Sequence, residues 1–158
     1  MSSQHHYRAR CSWSGSTGEG YEHYQREHTA SAPPASDSLM LSADQAFLGR
    51  SDHLNPEQLV VLAAASCQLL SFLAVAARAR IDVVAYDDDA EGVMPVNDAP
   101  VGLTRIVLRP QIVVVPGPTV ERVRHLVEVA HRECYVANSL RTQVDVEARI
   151  EFSDTAEP

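Results

Sequence analysis

Two cysteines lie where apolar helices would carry them. Cys67 is in the middle of NPEQLVVLAAASCQLLSFLAVAARA, residues 55–79, and Cys134 ends a second segment with helical spacing. Thiols far apart in sequence can meet inside a fold, and a thiol-based peroxidase needs that arrangement. One thiolate attacks the peroxide oxygen and becomes a sulfenic acid; the second thiol condenses with it to a disulfide and protects it from overoxidation. The attacking thiol must be ionised. A cysteine in mid-helix gets no help from the helix N-terminus, so a cation must come from elsewhere. Arg26 and Arg50, in the polar N-terminal third, are the candidates. A carboxylate holding the arginine would complete a minimal site, and an apolar wall would select alkyl or lipid-like hydroperoxides over hydrogen peroxide. Against this stands a plainer reading, because a free buried cysteine is commonly a small hydrophobe without chemistry.

The elements that must position these thiols can be read from pattern. Asn55 suits a helix cap, Pro56 the first helical position, and Gln58 completes a capping box. No charge occurs from Leu59 to Ala77. A helix over 55–80 apolar on every side should be buried on every side. Its uncharged run also approaches the length of a membrane span, but Ser66, Gln68 and Ser71 interrupt it and alanine supplies much of the rest. Upstream, residues 5–54 read as N-terminal strands and loop. Strands are expected at 5–14 and 20–30 around the turn SGSTGEG, with a short one at 39–42. Residues 20–30 are polar on both faces, which suggests that one face lines a wet site.

Downstream, 81–116 reads as strands: one at 81–86, then a turn or solvated bulge at DDDAEG, then a long strand at 101–115 with a bulge or edge at Pro110. The acidic cluster lacks the ligand spacing of a calcium loop. A second helical segment spans 119–137, with the helix proper at about 119–134 and YVANSL as a turn. Val120, Val123, Val127, Ala130 and Cys134 share its apolar face. A last strand is expected at 142–152 and a frayed tail at 153–158. Every connection is compatible with antiparallel pairing, so the class is α+β, and the length fits a single domain over 1–158.

Composition narrows the function classes. The chain has 158 residues and a net charge of −8, which argues against nucleic acid or an anionic membrane as partner. A fully buried helix of this length is much to ask of one small chain, and a second copy is the economical solution. Three cysteines, Cys11, Cys67 and Cys134, do not make a secreted disulfide framework, and their spacing fits no zinc pattern. The polar start MSSQHHYRAR does not read as a signal peptide. A cytoplasmic protein with reduced thiols is expected.

NPEQLVVLAAASC, followed by AHRECYVANSL, resembles the OsmC/Ohr family (osmotically inducible protein C and organic hydroperoxide resistance protein), from about Tyr7 to the last strand. YEHYQREHT and SADQAFLGRSDHLNPEQL resemble one OsmC-like subgroup. The family has an N-P-E-x-L helix start with a reactive cysteine ten residues after the glutamate, and Glu57 and Cys67 reproduce that spacing. The resemblance implies an OsmC-like fold, with antiparallel sheets around a long central helix plus a second helix, in an intertwined homodimer with sites at the subunit interface. It implies an organic hydroperoxide reductase in which Cys67 is peroxidatic, Cys134 resolves it, and a Glu57–arginine pair keeps Cys67 ionised. A dithiol of lipoyl type or another small thiol would regenerate it. No metal, flavin or haem is called for, since sulfur carries the chemistry.

For the arginine, Arg26 matches the Ohr branch and Arg50 lies nearer the place used in the OsmC branch; Arg26 is favoured because its segment is polar on both faces. Glu57 and Cys67 are ten residues apart, or about 15 Å along a straight helix, so Glu57 should serve the Cys67 of a partner subunit packed antiparallel. Gln68 stands where many members of this subgroup carry histidine; it can donate a hydrogen bond but cannot take up a proton. His131, one turn before Cys134, has either a catalytic role or an ordinary interface one. Cys11 has no counterpart and is expected to be structural, and His23 and His28 to be strand-surface residues. Two other functions stay open: an OsmC-like protein binding a small apolar ligand at a dimer interface with its cysteines idle, or a thiol redox sensor.

Overall fold

A computed structural model describes residues 3–154. Residues 1–2 and 155–158, including most of the expected tail, lie outside the described residues. The chain forms two compact units, Met1–Leu59 and Val60–Pro158.

In the first unit, β1 (Arg10–Ser12), β2 (His28–Ser31) and β3 (Ser38–Leu41) form an antiparallel sheet in that order. The two long strands expected before residue 31 are short. Residues 21–24 form a turn instead, with His23 N–H donating to the Gly20 carbonyl at 3.2 Å. The reason lies in the polar alternation: a strand polar on both faces has nothing to bury, whereas the turned chain can satisfy Arg26. Cys11 is exposed on β1, which corrects the expectation of a structural thiol. After β3, Ser42 N–H donates to the Leu54 carbonyl at 3.0 Å. Asp44 caps a 3-10 turn at Gln45–Phe47. Gly49 passes so close to Ala43 that a Cβ there would strike the Ala43 carbonyl. The unit ends in the expected capping box: Asn55 Oδ1 accepts from Gln58 N–H at 2.8 Å, and Gln58 Oε1 accepts from Asn55 N–H at 3.0 Å.

Helix α1, Pro56–Arg78, starts at this cap. In the second unit it is followed by β4 (Val83–Asp88), β5 (Glu91–Val93), β6 (Arg105–Leu108), β7 (Pro110–Val114), α2 (Val120–Arg132), α3 (Tyr135–Ser139), β8 (Gln143–Val146) and β9 (Arg149–Phe152). The long strand expected at 101–115 breaks before Pro110. This lets β6 join a β5-β6-β8 sheet while β7 joins a β4-β7-β9 sheet. The strand expected at 142–152 breaks likewise, between Val146 and Arg149. β6 pairs with β8, and β7 with β9, in parallel. This corrects the all-antiparallel expectation. The helical crossover through α2 and α3 is long enough to return the chain in the same direction. The acidic DDDAEG stretch is not a simple turn: Asp87 and Asp88 end β4, and Glu91 opens β5.

Phe72, Val75 and Ala76 of α1 pack on Ile112 and Val114 of β7 and on Val123, Val127 and Ala130 of α2. Ala64 packs on Ile106 and Leu108 of β6, with Val136 of α3 and Leu140 just after it against them. The helix is not buried all round, as its composition predicts. Leu62 is 52% exposed and Leu70 63%, and Ser66, Leu73 and Ala77 continue the same open stripe. The sheets and α2 reach only one side of α1. By length and composition α1 could cross a membrane, yet its other side is core of this unit.

Candidate active site

Helix α1 presents Cys67 partly buried, and Cys134 lies 1% exposed at the start of α3. Both thiols are free and the fold makes them neighbours. Burial pushes the Cys134 thiol up, and the thiol contact with Cys67 pushes it the same way; the Val136 and Ala137 amides of α3 oppose this. Cys134 is therefore held protonated. Two thiols 67 residues apart in sequence thus form one pair, because α1 and the α2–α3 junction pack on the same core.

Gln68 is fully buried, and its Nε2 donates to the Val127 carbonyl at 3.3 Å. It ties α1 to α2, while its Oε1 has no protein partner. His131 lines a cavity of about 230 Å³ with Arg124, Glu128 and Asp145. Its Nδ1 is buried without a partner. The charge of His131 helps hold Asp145 below the usual carboxylate range, after the hydrogen bonds from Gln143 and Arg105. The Cys134 N–H donates to the His131 carbonyl at 3.2 Å.

The first unit holds the other predicted groups. Arg26 is only 9% exposed. Its guanidinium donates to the Tyr24 and Tyr21 carbonyls, each at 2.7 Å, and stacks on both rings, 4.1 Å from the Tyr24 centroid and 4.7 Å from that of Tyr21. Such stacking fixes the guanidinium plane and keeps its charge in place of an ion pair. Arg26 and Glu57 line one cleft of about 400 Å³, with Trp13, Tyr24, His28 and Phe47 as its larger walls. Among the described residues, neither joins an ion pair. Arg50 lies outside this lining. It is exposed and pairs bidentately with Asp52 at 2.9 and 2.6 Å, with Glu27 at 3.7 Å. Its hydrogen bond holds Asp52 down to about 2.

The OsmC-like protein family model matches residues 49–149, which include both thiols, Glu57, Gln68 and His131. The chain belongs to the OsmC-like family. An OsmC-like protein of unknown function from Vibrio cholerae is 30% identical, with a TM-score of 0.84 over 92% of this chain and 100% of that one. An organic hydroperoxide resistance protein from Elizabethkingia anophelis, 20% identical, shares the fold at a TM-score of 0.71 over 97% of this chain and 100% of that one. One from Legionella pneumophila, 21% identical, does so at 0.69 over 93% and 97%. No curated protein sequence matches the chain.

In this OsmC-like chain two buried polar atoms on β4 escaped the sequence reading. Tyr86 and Asp88 alternate along β4 and so face the same way. The Tyr86 hydroxyl and Asp88 Oδ2 are both buried without a protein partner. Asp88 looked like one more member of a solvated acidic run. The available signal was its position two residues after a tyrosine, on the same face of β4.

Proposed function

We propose that this OsmC-like protein is a thiol-dependent peroxidase that reduces organic hydroperoxides. The observation that carries the reading is the pairing of a partly buried Cys67 with a buried, protonated Cys134. Cys67 thiolate attacks a hydroperoxide oxygen, the O–O bond breaks, and the alcohol leaves after taking a proton. The resulting Cys67 sulfenic acid condenses with Cys134 to a disulfide and water. A dithiol, of lipoyl type or another small thiol, then reduces the disulfide and returns both thiols. The sulfur atoms carry every electron transferred.

Arg26 supplies the positive charge that keeps Cys67 ionised, and Glu57 of the same cleft positions it. They share a cleft, while Glu57 lies about 15 Å along α1 from Cys67, so the cleft residues serve the Cys67 of a second copy. The open apolar stripe of α1 supports such a homodimer, because its exposed leucines need cover. The cytoplasm, where thiols stay reduced, is the compartment this cycle requires. The aromatic cleft also favours a second reading, a binding protein for a small apolar ligand.

The deciding experiment counts free thiols under denaturing conditions, before and after one equivalent of an alkyl hydroperoxide. The three thiols of the chain fall to one, with Cys67 joined to Cys134 by peptide mapping. A count that stays at three overturns the peroxidase and leaves the binding protein.

A further inference from the structure

Resting on the peroxidase reading, we propose that His28 is the catalytic acid that protonates the alkoxide leaving the hydroperoxide. The reaction asks for such a group. When the Cys67 thiolate takes the terminal oxygen, the rest of the peroxide departs as an alkoxide. That is a poor leaving group unless a proton reaches it as the O–O bond breaks. The thiolate has no proton to give. Nor has a guanidinium, which stays protonated in proteins, so Arg26 can stabilise the developing charge but cannot quench it.

The cleft that holds Arg26 also holds His28. His28 is the first residue of β2, two positions after Arg26, and is partly buried. Its Nδ1 lies 2.9 Å from the Arg26 carbonyl. A carbonyl can only accept, so Nδ1 carries a hydrogen and donates it. That bond fixes the ring against the segment that presents the guanidinium. It also leaves Nε2 as the nitrogen able to exchange a proton. Among the described residues Nε2 has no hydrogen-bond partner, and it is not sealed from solvent.

The other polar groups of the cleft are engaged or unsuited. Asp44 Oδ1 accepts the Ala46 amide at 2.7 Å, and its Oδ2 accepts from the Asn55 side chain at 3.4 Å. Glu57 must stay charged to position Arg26. Tyr24 gives its carbonyl and its ring face to Arg26, which leaves its hydroxyl as the main rival donor. An imidazole, unlike a phenol, both holds and releases a proton near neutral pH. Trp13 and Phe47 wall the same cleft and give an alkyl group apolar surface beside the ring.

The step balances. A lone pair of the Cys67 sulfur, in the second copy that the cleft serves, forms the S–O bond to the terminal peroxide oxygen, which keeps its hydrogen. The O–O bond breaks and its electron pair leaves on the alkyl-bearing oxygen. The Nε2–H of the His28 imidazolium gives that oxygen its proton. The products are the Cys67 sulfenic acid, an alcohol and a neutral imidazole. Sulfur loses the two electrons that the peroxide gains, and solvent returns a proton to Nε2.

The test uses the whole protein carrying Cys11→Ser, with His28→Asn or Tyr24→Phe added. Asparagine keeps a donor where Nδ1 stood and has nothing in place of Nε2. Each form is mixed with cumene hydroperoxide or with peracetic acid, and loss of the Cys67 thiol is followed by quenched flow, alkylation and mass spectrometry. Cumene hydroperoxide expels an alkoxide, which needs the proton; peracetic acid expels acetate, which does not. His28→Asn should react with cumene hydroperoxide roughly 100-fold more slowly, in the range of a lost general acid, yet keep pace with the parent on peracetic acid. Tyr24→Phe should match the parent on both. An unchanged cumene hydroperoxide rate in His28→Asn overturns the assignment. So does an equal slowing with both peroxides, which a merely structural His28 would give, or a selective deficit that appears in Tyr24→Phe instead. A parent that leaves Cys67 intact with both peroxides overturns the peroxidase itself, an outcome distinct from each of these.

Discussion

At the scale of single residues, the two thiols divide the labour by environment. Cys134 is buried and held protonated; Cys67 is the more accessible. Cys67→Ser should abolish hydroperoxide turnover, whereas Cys134→Ser should consume one equivalent and leave a sulfenic or overoxidised Cys67 visible by mass spectrometry. Full activity in Cys67→Ser would remove the mechanism. The two arginines separate as sharply. Arg26 is buried against two tyrosine rings, and Arg26→Ala should slow attack on hydroperoxide at least about 10-fold, as the loss of a charge that activates the nucleophile. Arg50 is a solvated partner of Asp52, and exposed pairs contribute about 0–1 kcal/mol, so Arg50→Ala should leave the rate near the parent value. The reverse outcome in stopped-flow assays would give the activating role to Arg50. Asp88 carries a pH signature of its own. Its carboxyl is raised in the folded state, so its charged form penalises folding. That penalty is absent below the ordinary carboxylate range and grows as pH rises through the folded value. The melting temperature of Asp88→Asn relative to the parent should therefore climb with pH over that window.

At the scale of elements, α1 joins a strong local signal to a face the chain itself leaves open. Its cap is reciprocal, and Asn55→Ala should cost about 1 kcal/mol in urea denaturation. The loop before it depends on Gly49, since any Cβ would strike the Ala43 carbonyl. Gly49→Ala should force that loop to shift, lowering the melting temperature and disturbing the cleft that Arg26 and Glu57 share. Gln68 belongs to this scale as well. One amide bond to Val127 couples α1 to α2 and so helps hold the register that places Cys67 beside Cys134.

At the scale of the whole molecule, the exposed leucine stripe of α1 argues for a second copy. Leu70→Glu should shift the protein from dimer to monomer in sedimentation velocity and lower turnover, if the cleft of one copy serves the thiols of the other. A monomeric parent would detach the cleft from the thiols. The chain alone determined a good deal: the capping box at Asn55, the apolar run of α1 and the α+β class. Each of these depends on neighbours within a few residues, so local spacing encodes it. The family was legible for a related reason, since NPEQL and the cysteine ten residues after Glu57 form a compact local pattern. Other features only the tertiary structure decided. These are the parallel pairings of β6 with β8 and β7 with β9, the sheet change at Pro110, and the turn that folds Arg26 between Tyr21 and Tyr24. The open side of α1 and the burial of the Tyr86 hydroxyl and Asp88 Oδ2 belong with them. In each case the outcome rests on which distant surface covers a residue. Period and composition say that a face is apolar or polar; they do not say what will pack against it.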